Sequence, residues 1–324
     1  MSMAPDKPGL FLRVSVTDRC QFRCTYCMPP EGIRSCRHED ILTYEEIASF
    51  VRYLHAEFGV AKVRVTGGDP LVRKDLPLLV KMFSKMKIPD IAMTTNGQLL
   101  EAHAEALKNA GLRRVNISLD SLIPETFSRL SRGGELEKTL QGIQAALRHD
   151  LRPVKLNMVV LKGVNDGEIG RLASFAVDQG CDMRFLELMP LGVAAAKSDQ
   201  WFVSSAEVVS RLSEDFSLTP LPARAGDTAR NFRIRDSSDR EGTGGLISPC
   251  SAPFCAGCRR LRLTAEGHLI GCLGRDARIS VKPLLRSGQP ESLKELRPLI
   301  EQALAEKNLE HGFKSARMLG AVGG

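Results

Sequence analysis

Apolar and polar positions follow two periods along the first two-thirds of the chain. Short runs rich in aliphatic and β-branched residues, at 10–17, 61–66, 90–95, 113–119, 153–160 and 182–188, predict six strands. Between them apolar residues recur every three or four positions, the spacing of one helix face. In 43–58, Ile47, Phe50, Val51, Leu54 and Phe58 form such a stripe. It follows Thr43, with Glu46 three residues on, the side-chain pair of a capping box. Residues 75–87, 99–110, 135–149 and 166–179 read the same way, and Gly59, Gly111 and Gly180 stand where three of these helices should stop. Alternating strands and helices predict a parallel sheet with helical crossovers. Six units are too few to close an eight-unit barrel. The expected fold is therefore α/β, a partial open (β/α)6 TIM-like barrel.

After Trp201 the rhythm breaks. Residues 217–245 are rich in Pro, Gly, Arg and Asp and read as loops and short strands. A last amphipathic helix is predicted over 291–307, from Leu293, Leu296, Leu299, Ile300, Ala303 and Leu304. The pattern divides the chain into a barrel, 1–215, and a C-terminal extension, 216–324.

Unusual residues gather where the strands end: Thr17-Asp18-Arg19-Cys20, Thr66-Gly67-Gly68-Asp69-Pro70, Thr94-Thr95-Asn96-Gly97, Ser118-Leu119-Asp120-Ser121, Leu161-Lys162-Gly163 and Glu187-Leu188-Met189-Pro190. Any one of them is an ordinary turn; together they mark the end of a barrel that builds an active site. Gly67 and Gly68 let backbone approach closely. Arg13, Arg64 and Lys155 interrupt apolar strands. A buried cation needs an anionic partner, either a carboxylate of the protein or a phosphate of a ligand.

Two cysteine sets carry the most specific signal. Cys20, Cys24 and Cys27 are spaced C-x3-C-x2-C, and Cys255, Cys258 and Cys272 C-x2-C-x13-C. Three thiolates on a four-iron cube leave one iron open to a small molecule. For the second set a zinc site remains open as well, with Cys250 as fourth ligand. Cys36 and Cys181 match no motif.

Composition narrows the partners. The chain has 324 residues, 43% hydrophobic and 26% charged, as globular proteins do. A net charge of +7 favours an anionic partner, a nucleoside triphosphate or nucleic acid. Aromatics at 5% leave little material for stacking single-stranded bases. No G-x4-G-K-[ST] loop is present, which argues against an ordinary P-loop GTPase. The N-terminus MSMAPDKPGL carries no apolar core, and no run approaches 18 apolar residues. The expectation is a cytoplasmic protein with no membrane and no nucleic acid among its partners. Nine cysteines in that setting point to metal or redox use, not disulfides.

C-x3-C-x2-C with Tyr26 before its last cysteine resembles the signature of radical S-adenosylmethionine (SAM) enzymes. The stretch SVTDRCQFRCTYCMPPEG is similar to the GTP 3',8-cyclase family of molybdenum cofactor biosynthesis. The resemblance spans about residues 10 to 324. It implies two 4Fe–4S clusters, one on Cys20, Cys24 and Cys27 that chelates SAM, the other on Cys255, Cys258 and Cys272 facing the substrate's purine. It places Tyr26, Gly68, Ser118 and Met189 against SAM, with Asp69 where most members carry Glu. It places Arg13, Arg64, Thr94, Lys155 and the segment Arg260-Leu261-Arg262 against GTP. A C-terminal Gly323-Gly324 tail would reach the active site and support catalysis. The implied reaction cleaves SAM to a 5'-deoxyadenosyl radical, takes hydrogen from C3' of GTP and joins C3' to C8. Implied partners are a reductant protein such as flavodoxin or ferredoxin and the next enzyme, cyclic pyranopterin monophosphate synthase; a homodimer is compatible. Two rivals stand beside this reading. Another radical SAM enzyme with an auxiliary cluster, such as a peptide-modifying one, would not need Arg13, Arg64 and Lys155 together. A non-catalytic iron–sulfur electron carrier would have fully ligated clusters.

Overall fold

The computed structural model describes residues 9–33, 35–223, 227–287 and 289–307. Its strands are β1 (Leu10–Ser15), β2 (Val60–Thr66), β3 (Asp90–Thr95), β4 (Arg114–Ser118), β5 (Lys155–Val160) and β6 (Asp182–Glu187), then β7 (Phe216–Pro220), β8 (Arg230–Asp236), β9 (Glu241–Ile247), β10 (Arg260–Leu263), β11 (His268–Ile270) and β12 (Ile279–Ser280). The helices are α1 (Tyr44–Phe58), α2 (Leu76–Lys85), α3 (Leu100–Ala110), α4 (Pro124–Ser131), α5 (Leu136–Arg148), α6 (Ile169–Asp178), α7 (Ser198–Trp201), α8 (Ser205–Asp215), α9 (Lys282–Arg286) and α10 (Leu296–Ala305).

All strands join one sheet, in the order β12-β11-β10-β1-β2-β3-β4-β5-β6-β9-β8-β7. The run from β10 through β1–β6 to β9 is parallel. The order is linear, so the barrel is open. The six expected strands lie where their alternation placed them. The last third differs from expectation in one respect: it adds a parallel strand to each edge, β10 beside β1 and β9 beside β6. Antiparallel partners β11 and β8 then cover the outer sides.

Local chemistry explains the crossovers. The Thr43 hydroxyl accepts from the Glu46 amide at 3.1 Å, and the Glu46 carboxylate accepts from the Thr43 amide at 2.7 Å, starting α1. Gly59 and Gly111 end α1 and α3 with φ of 70° and 106°, which a side chain would resist. Four helices escaped the period: α4, α7 and α9, whose eight, four and five residues are too short for a stripe, and α8, held by a second capping box at Ser204 and Glu207.

The outward face of the sheet packs against these helices. Leu12 and Val14, Val63 and Val65, Val115 and Ile117, and Met183 and Phe185 are buried there. The alternate positions, including Arg13, Arg64, Arg114, Lys155 and Arg184, face a lumen. A closed eight-unit barrel fills this space with branched apolar side chains. Here it is lined with charge.

Candidate active site

Strand direction separates the two cysteine sets. Cys20, Cys24 and Cys27 follow β1 and lie at the end of the barrel where strands finish. Cys255 and Cys258 precede β10, which runs parallel to β1 with Phe11 opposite Arg260 and Arg13 opposite Arg262. The second set therefore lies where strands start. β11 returns antiparallel, with Leu263 opposite Leu269, and carries Cys272 back toward Cys258. The six residues of β1, at about 3.3 Å each, put about 20 Å between the two ends.

At the strand-finishing end the first loop is pinned from several sides. Arg23 and Thr25 amides donate to the carbonyls of Ser131 and Leu130, the last two residues of α4, at 2.8 and 2.9 Å. The Phe22 ring meets Phe127 edge-on at 5.7 Å. A Cβ on Gly134 would fall 2.4 Å from the Phe22 ring, so this turn requires glycine. The Cys27 amide donates to the Cys24 carbonyl at 2.9 Å, turning the two thiols to one side. Tyr26 donates to Asp120 at 2.6 Å, and Asp120 accepts from the Val159 amide at 2.9 Å. Burial pushes the Asp120 carboxyl up to about 6, against the pull of those two bonds. Burial, then Asp69, pushes the Cys20 thiol up to about 12; burial, then Asp120, raises Cys24 well above its usual range. Thiols so disposed ionise only when a metal holds them. Leu130, Leu161 and Leu188 pack with Tyr26 around Cys24 and Cys27, shielding them from water.

The Gly-Gly-Asp-Pro turn serves this loop directly. Gly68 donates to the Thr17 carbonyl and Asp69 to the Arg19 carbonyl, each at 2.7 Å. A Cβ on Gly68 would sit 2.2 Å from the Arg19 carbonyl oxygen. Asp69 is buried and accepts from Leu71 and Asn96 amides and the Thr95 hydroxyl at 3.0, 2.7 and 2.7 Å. It locks the end of β2 to the end of β3. Asn96 in turn reaches Gln21 at 2.9 Å and the Cys20 sulfur at 3.7 Å.

In the strand-starting half of the lumen lies a cavity of about 560 Å³, a usual size for a small-molecule site. Among the described residues Arg13, Lys62, Arg64, Arg114, Lys155, Arg184 and Arg260 line it, against the carboxylates of Asp90 and Asp227. Some of this charge is answered internally. Arg114 grips Asp90 with two bonds of 3.0 and 2.6 Å, Lys62 stands 3.4 Å from Asp90, and Lys155 is 2.5 Å from Asp182. Arg13 and Arg64 are also crowded by other cations. Burial lowers Arg64, and Arg13, Arg114 and Arg184 add repulsion; burial, then Arg262 and Arg260, lowers Arg13. Guanidinium groups do not give up their proton, so this crowding favours an anion. Buried polar atoms without partners stand here as well: Arg260 Nε, Asn116 Oδ1 and Asn157 Oδ1.

At the strand-starting end Arg260 lies 4.7 Å over the Phe254 ring, and Cys258, Cys255 and Cys272 all act on its charge. Burial opposes ionisation of Cys258, but Arg260 and Lys307 outweigh it and hold the thiol below its ordinary value. Cys250 is elsewhere. It follows β9 at the strand-finishing end, its thiol donates to the Leu188 carbonyl at 3.5 Å, and burial, then Glu187, pushes it to about 11. The zinc reading that made Cys250 a fourth ligand loses that ligand. Among the described residues no His, Cys, Asp or Glu group is drawn in tightly enough for a single metal ion.

The lumen thus brings together Arg13, Arg64, Lys155, Arg260 and Arg262, with Thr94 and Ser118 on the inward faces of β3 and β4. Met189 lies just beyond β6. Leu261 is separate: it is fully buried on the outward face beside Leu12, so only its backbone borders the lumen. Gly323 and Gly324 lie outside the described residues. Sequence reasoning missed Lys62, Arg114, Arg184, Asn116 and Asn157, which share the inward period of the residues it found. It also missed Asp120 as the partner of Tyr26. Cys36 sits beside Asp18 and Glu266, and Cys181 is buried in the core.

Two family models match the chain: the Radical SAM superfamily over residues 14–176 and Molybdenum Cofactor Synthesis C over 181–313. Among curated relatives, the GTP 3',8-cyclase of Alkaliphilus metalliredigens is 43% identical over 318 residues and that of Pelotomaculum thermopropionicum 44% over 323, each alignment covering 97% of both chains. Among solved structures, Streptococcus suis SuiB superposes with a TM-score of 0.60 at 14% identity, over 90% of this chain and 68% of that one, a likeness of fold. Two cysteine triads at opposite ends of a cationic half-barrel, and near-full-length similarity to these cyclases, place the chain in the GTP 3',8-cyclase family of the radical SAM superfamily.

Proposed function

We infer that this chain is a GTP 3',8-cyclase, a radical SAM lyase of molybdenum cofactor biosynthesis that uses two 4Fe–4S clusters and SAM. The observation that carries the reading is the lumen: a triad of thiols toward each end of the barrel and seven cationic side chains around the cavity in its strand-starting half. A peptide backbone has no use for that much positive charge, whereas a triphosphate does. When bound, the first cluster and SAM would supply a 5'-deoxyadenosyl radical for hydrogen abstraction at C3' of GTP; closing C3' onto C8 to an isomer of GTP would then consume one further electron and one proton, the electron coming from the external reductant.

The chain's own residues hold and orient. Cys20, Cys24 and Cys27 carry the first cluster, and Cys255, Cys258 and Cys272 the second. Tyr26, fixed by Asp120, lines SAM with Gly68, Ser118 and Met189. Arg13, Arg64 and Lys155, joined by Lys62 and Arg184, hold the triphosphate, and Thr94 borders the ribose. Arg260 and Arg262, with the backbone of Leu261, hold the guanine end beside the second triad. Fixing both reactants in one lumen supplies the orientation that radical transfer needs. Labour divides along the chain: residues 1–215 generate the radical and 216–324 hold the purine. The Gly323-Gly324 tail supports catalysis, so deleting it should cut turnover and adding the tail peptide back should restore part of it. A flavodoxin or ferredoxin delivers the electrons, cyclic pyranopterin monophosphate synthase takes the product, a homodimer is compatible with this role, and the chain works in the cytoplasm. Among the described residues no helix is long and apolar enough to cross a membrane.

The test is anaerobic incubation of the reconstituted chain with SAM, reductant and GTP, followed by mass analysis. The expected products are 5'-deoxyadenosine, methionine and an isomer of GTP. SAM cleavage with GTP unchanged would refute the reading.

A further inference from the structure

Lys307 follows α10, and its ammonium reaches three acceptors. It donates to the Cys258 sulfur at 3.5 Å, to the Gly271 carbonyl at 3.0 Å and to the Arg260 carbonyl. An ammonium has three N–H bonds, and these partners use them all. They come from both arms of the second triad: Cys258 and Arg260 enter β10, and Gly271 immediately precedes Cys272 beyond β11. The helix that delivers Lys307 is seated against the same turn. A Cβ on Gly271 would fall 1.9 Å from the Ala303 carbonyl oxygen, and Ile300 and Ala303 are fully buried.

We propose that Lys307 is a positioning residue of the second iron–sulfur site: it ties the Cys258 arm to the Cys272 arm and, by donating to a ligand sulfur, raises the reduction potential of the cluster they hold. The proposal rests on reading the second triad as a cluster site. Hydrogen bonds to ligand sulfurs and local net charge are among the features that set such potentials, and a cation beside the cluster favours its more negative, reduced form.

The test uses the full chain with Cys20, Cys24 and Cys27 changed to Ala, so that only the second cluster is observed. Lys307→Met and Lys307→Arg are compared with this parent after anaerobic reconstitution, without GTP. Iron is counted, and the midpoint potential is read by electron paramagnetic resonance during a redox titration. The parent should hold about four irons. Lys307→Met should lower the midpoint so that the ratio of reduced to oxidised cluster falls about tenfold at fixed potential, or about 59 mV for one electron. Lys307→Arg should stay near the parent. Iron lost from the Met variant but kept by the Arg variant would also support the proposal. An unmoved midpoint in Lys307→Met, or iron lost from both variants, would overturn it. A parent without iron would instead overturn the cluster reading itself.

Discussion

At the strand-finishing end of the barrel, Cys20 and Cys24 lie among Asp69 and Asp120, and burial with these carboxylates raises both thiols. At the strand-starting end, Cys258 lies against Arg260 and Lys307, which outweigh burial and lower it. The number of thiols is the same and the surrounding charge is opposite. SAM carries a sulfonium cation and GTP a string of anionic phosphates. An end bordered by carboxylates suits the first, and an end continuous with Arg13, Arg64 and Arg262 suits the second. One lumen can thus sort two reactants by charge, so that each arrives beside its own cluster.

The comparison breaks most visibly if one triad is removed at a time. Changing Cys20, Cys24 and Cys27 to Ala should abolish SAM cleavage and leave about half of the roughly eight irons of two cubes. Changing Cys255, Cys258 and Cys272 should leave SAM binding in place while product formation and GTP affinity fall. Iron analysis and 5'-deoxyadenosine release read both; SAM cleavage surviving in the first variant would undo the assignment of the ends.

Charge in the lumen should come next. Arg64→Gln should weaken GTP binding by roughly 10- to 100-fold, the worth of a charged hydrogen bond of about 1.5–3 kcal/mol, and leave SAM affinity unchanged. Equilibrium binding of each ligand separates the two effects; an equal loss for SAM would show that the lumen does not discriminate by charge. Leu261→Ala is the control on the opposite face of β10. It should lower stability by about 2–5 kcal/mol as a core cavity, a loss read by chemical denaturation.

Gly68→Ala probes the SAM end without changing charge. Its Cβ would meet the Arg19 carbonyl at 2.2 Å, a backbone atom that cannot swing aside. The cost should be about 1–3 kcal/mol of stability, with SAM binding weakened more than GTP binding. Thermal melts and paired titrations check this.

The last effect, spread over two pH units, concerns Asp120. Burial raises its carboxyl to about 6 from an ordinary value of 3.8. The folded chain therefore keeps a proton that the unfolded chain releases as pH rises from about 4 to 6. Across that window this group costs the fold stability, up to about 3 kcal/mol at 1.4 kcal/mol per unit. Asp120→Asn should remove that pH dependence, which denaturation at pH 4 and pH 6 would reveal as a smaller difference between the two.

How much of this was legible follows from what each residue leaves in the sequence. Arg13 and Arg64 showed because a charge inside an apolar strand contradicts its neighbours. Lys62 and Arg114 share their period but sit near strand starts, where charge usually means solvent. Asn116 and Asn157 carry no charge and read as filler. The roles of Asp69 and Asp120 lie in partners 26 and 94 residues away, Thr95 and Tyr26, which no spacing rule connects. The barrel's six units were legible from local periods. The two added parallel strands were not, because β10 has four residues and joins β1 from nearly 250 positions downstream. Cys250 looked like a ligand by spacing, and only the direction of β9 shows that it lies at the other end.

The most direct measurement follows one atom between the two ends. Reconstituted chain is incubated anaerobically with SAM, reductant and GTP carrying deuterium at C3', and the 5'-deoxyadenosine is weighed. Deuterium recovered in 5'-deoxyadenosine is expected, since the proposed arrangement sets the ribose between the SAM end and the purine end. Deuterium retained in the nucleotide, or transfer only from another ribose position, would contradict that placement.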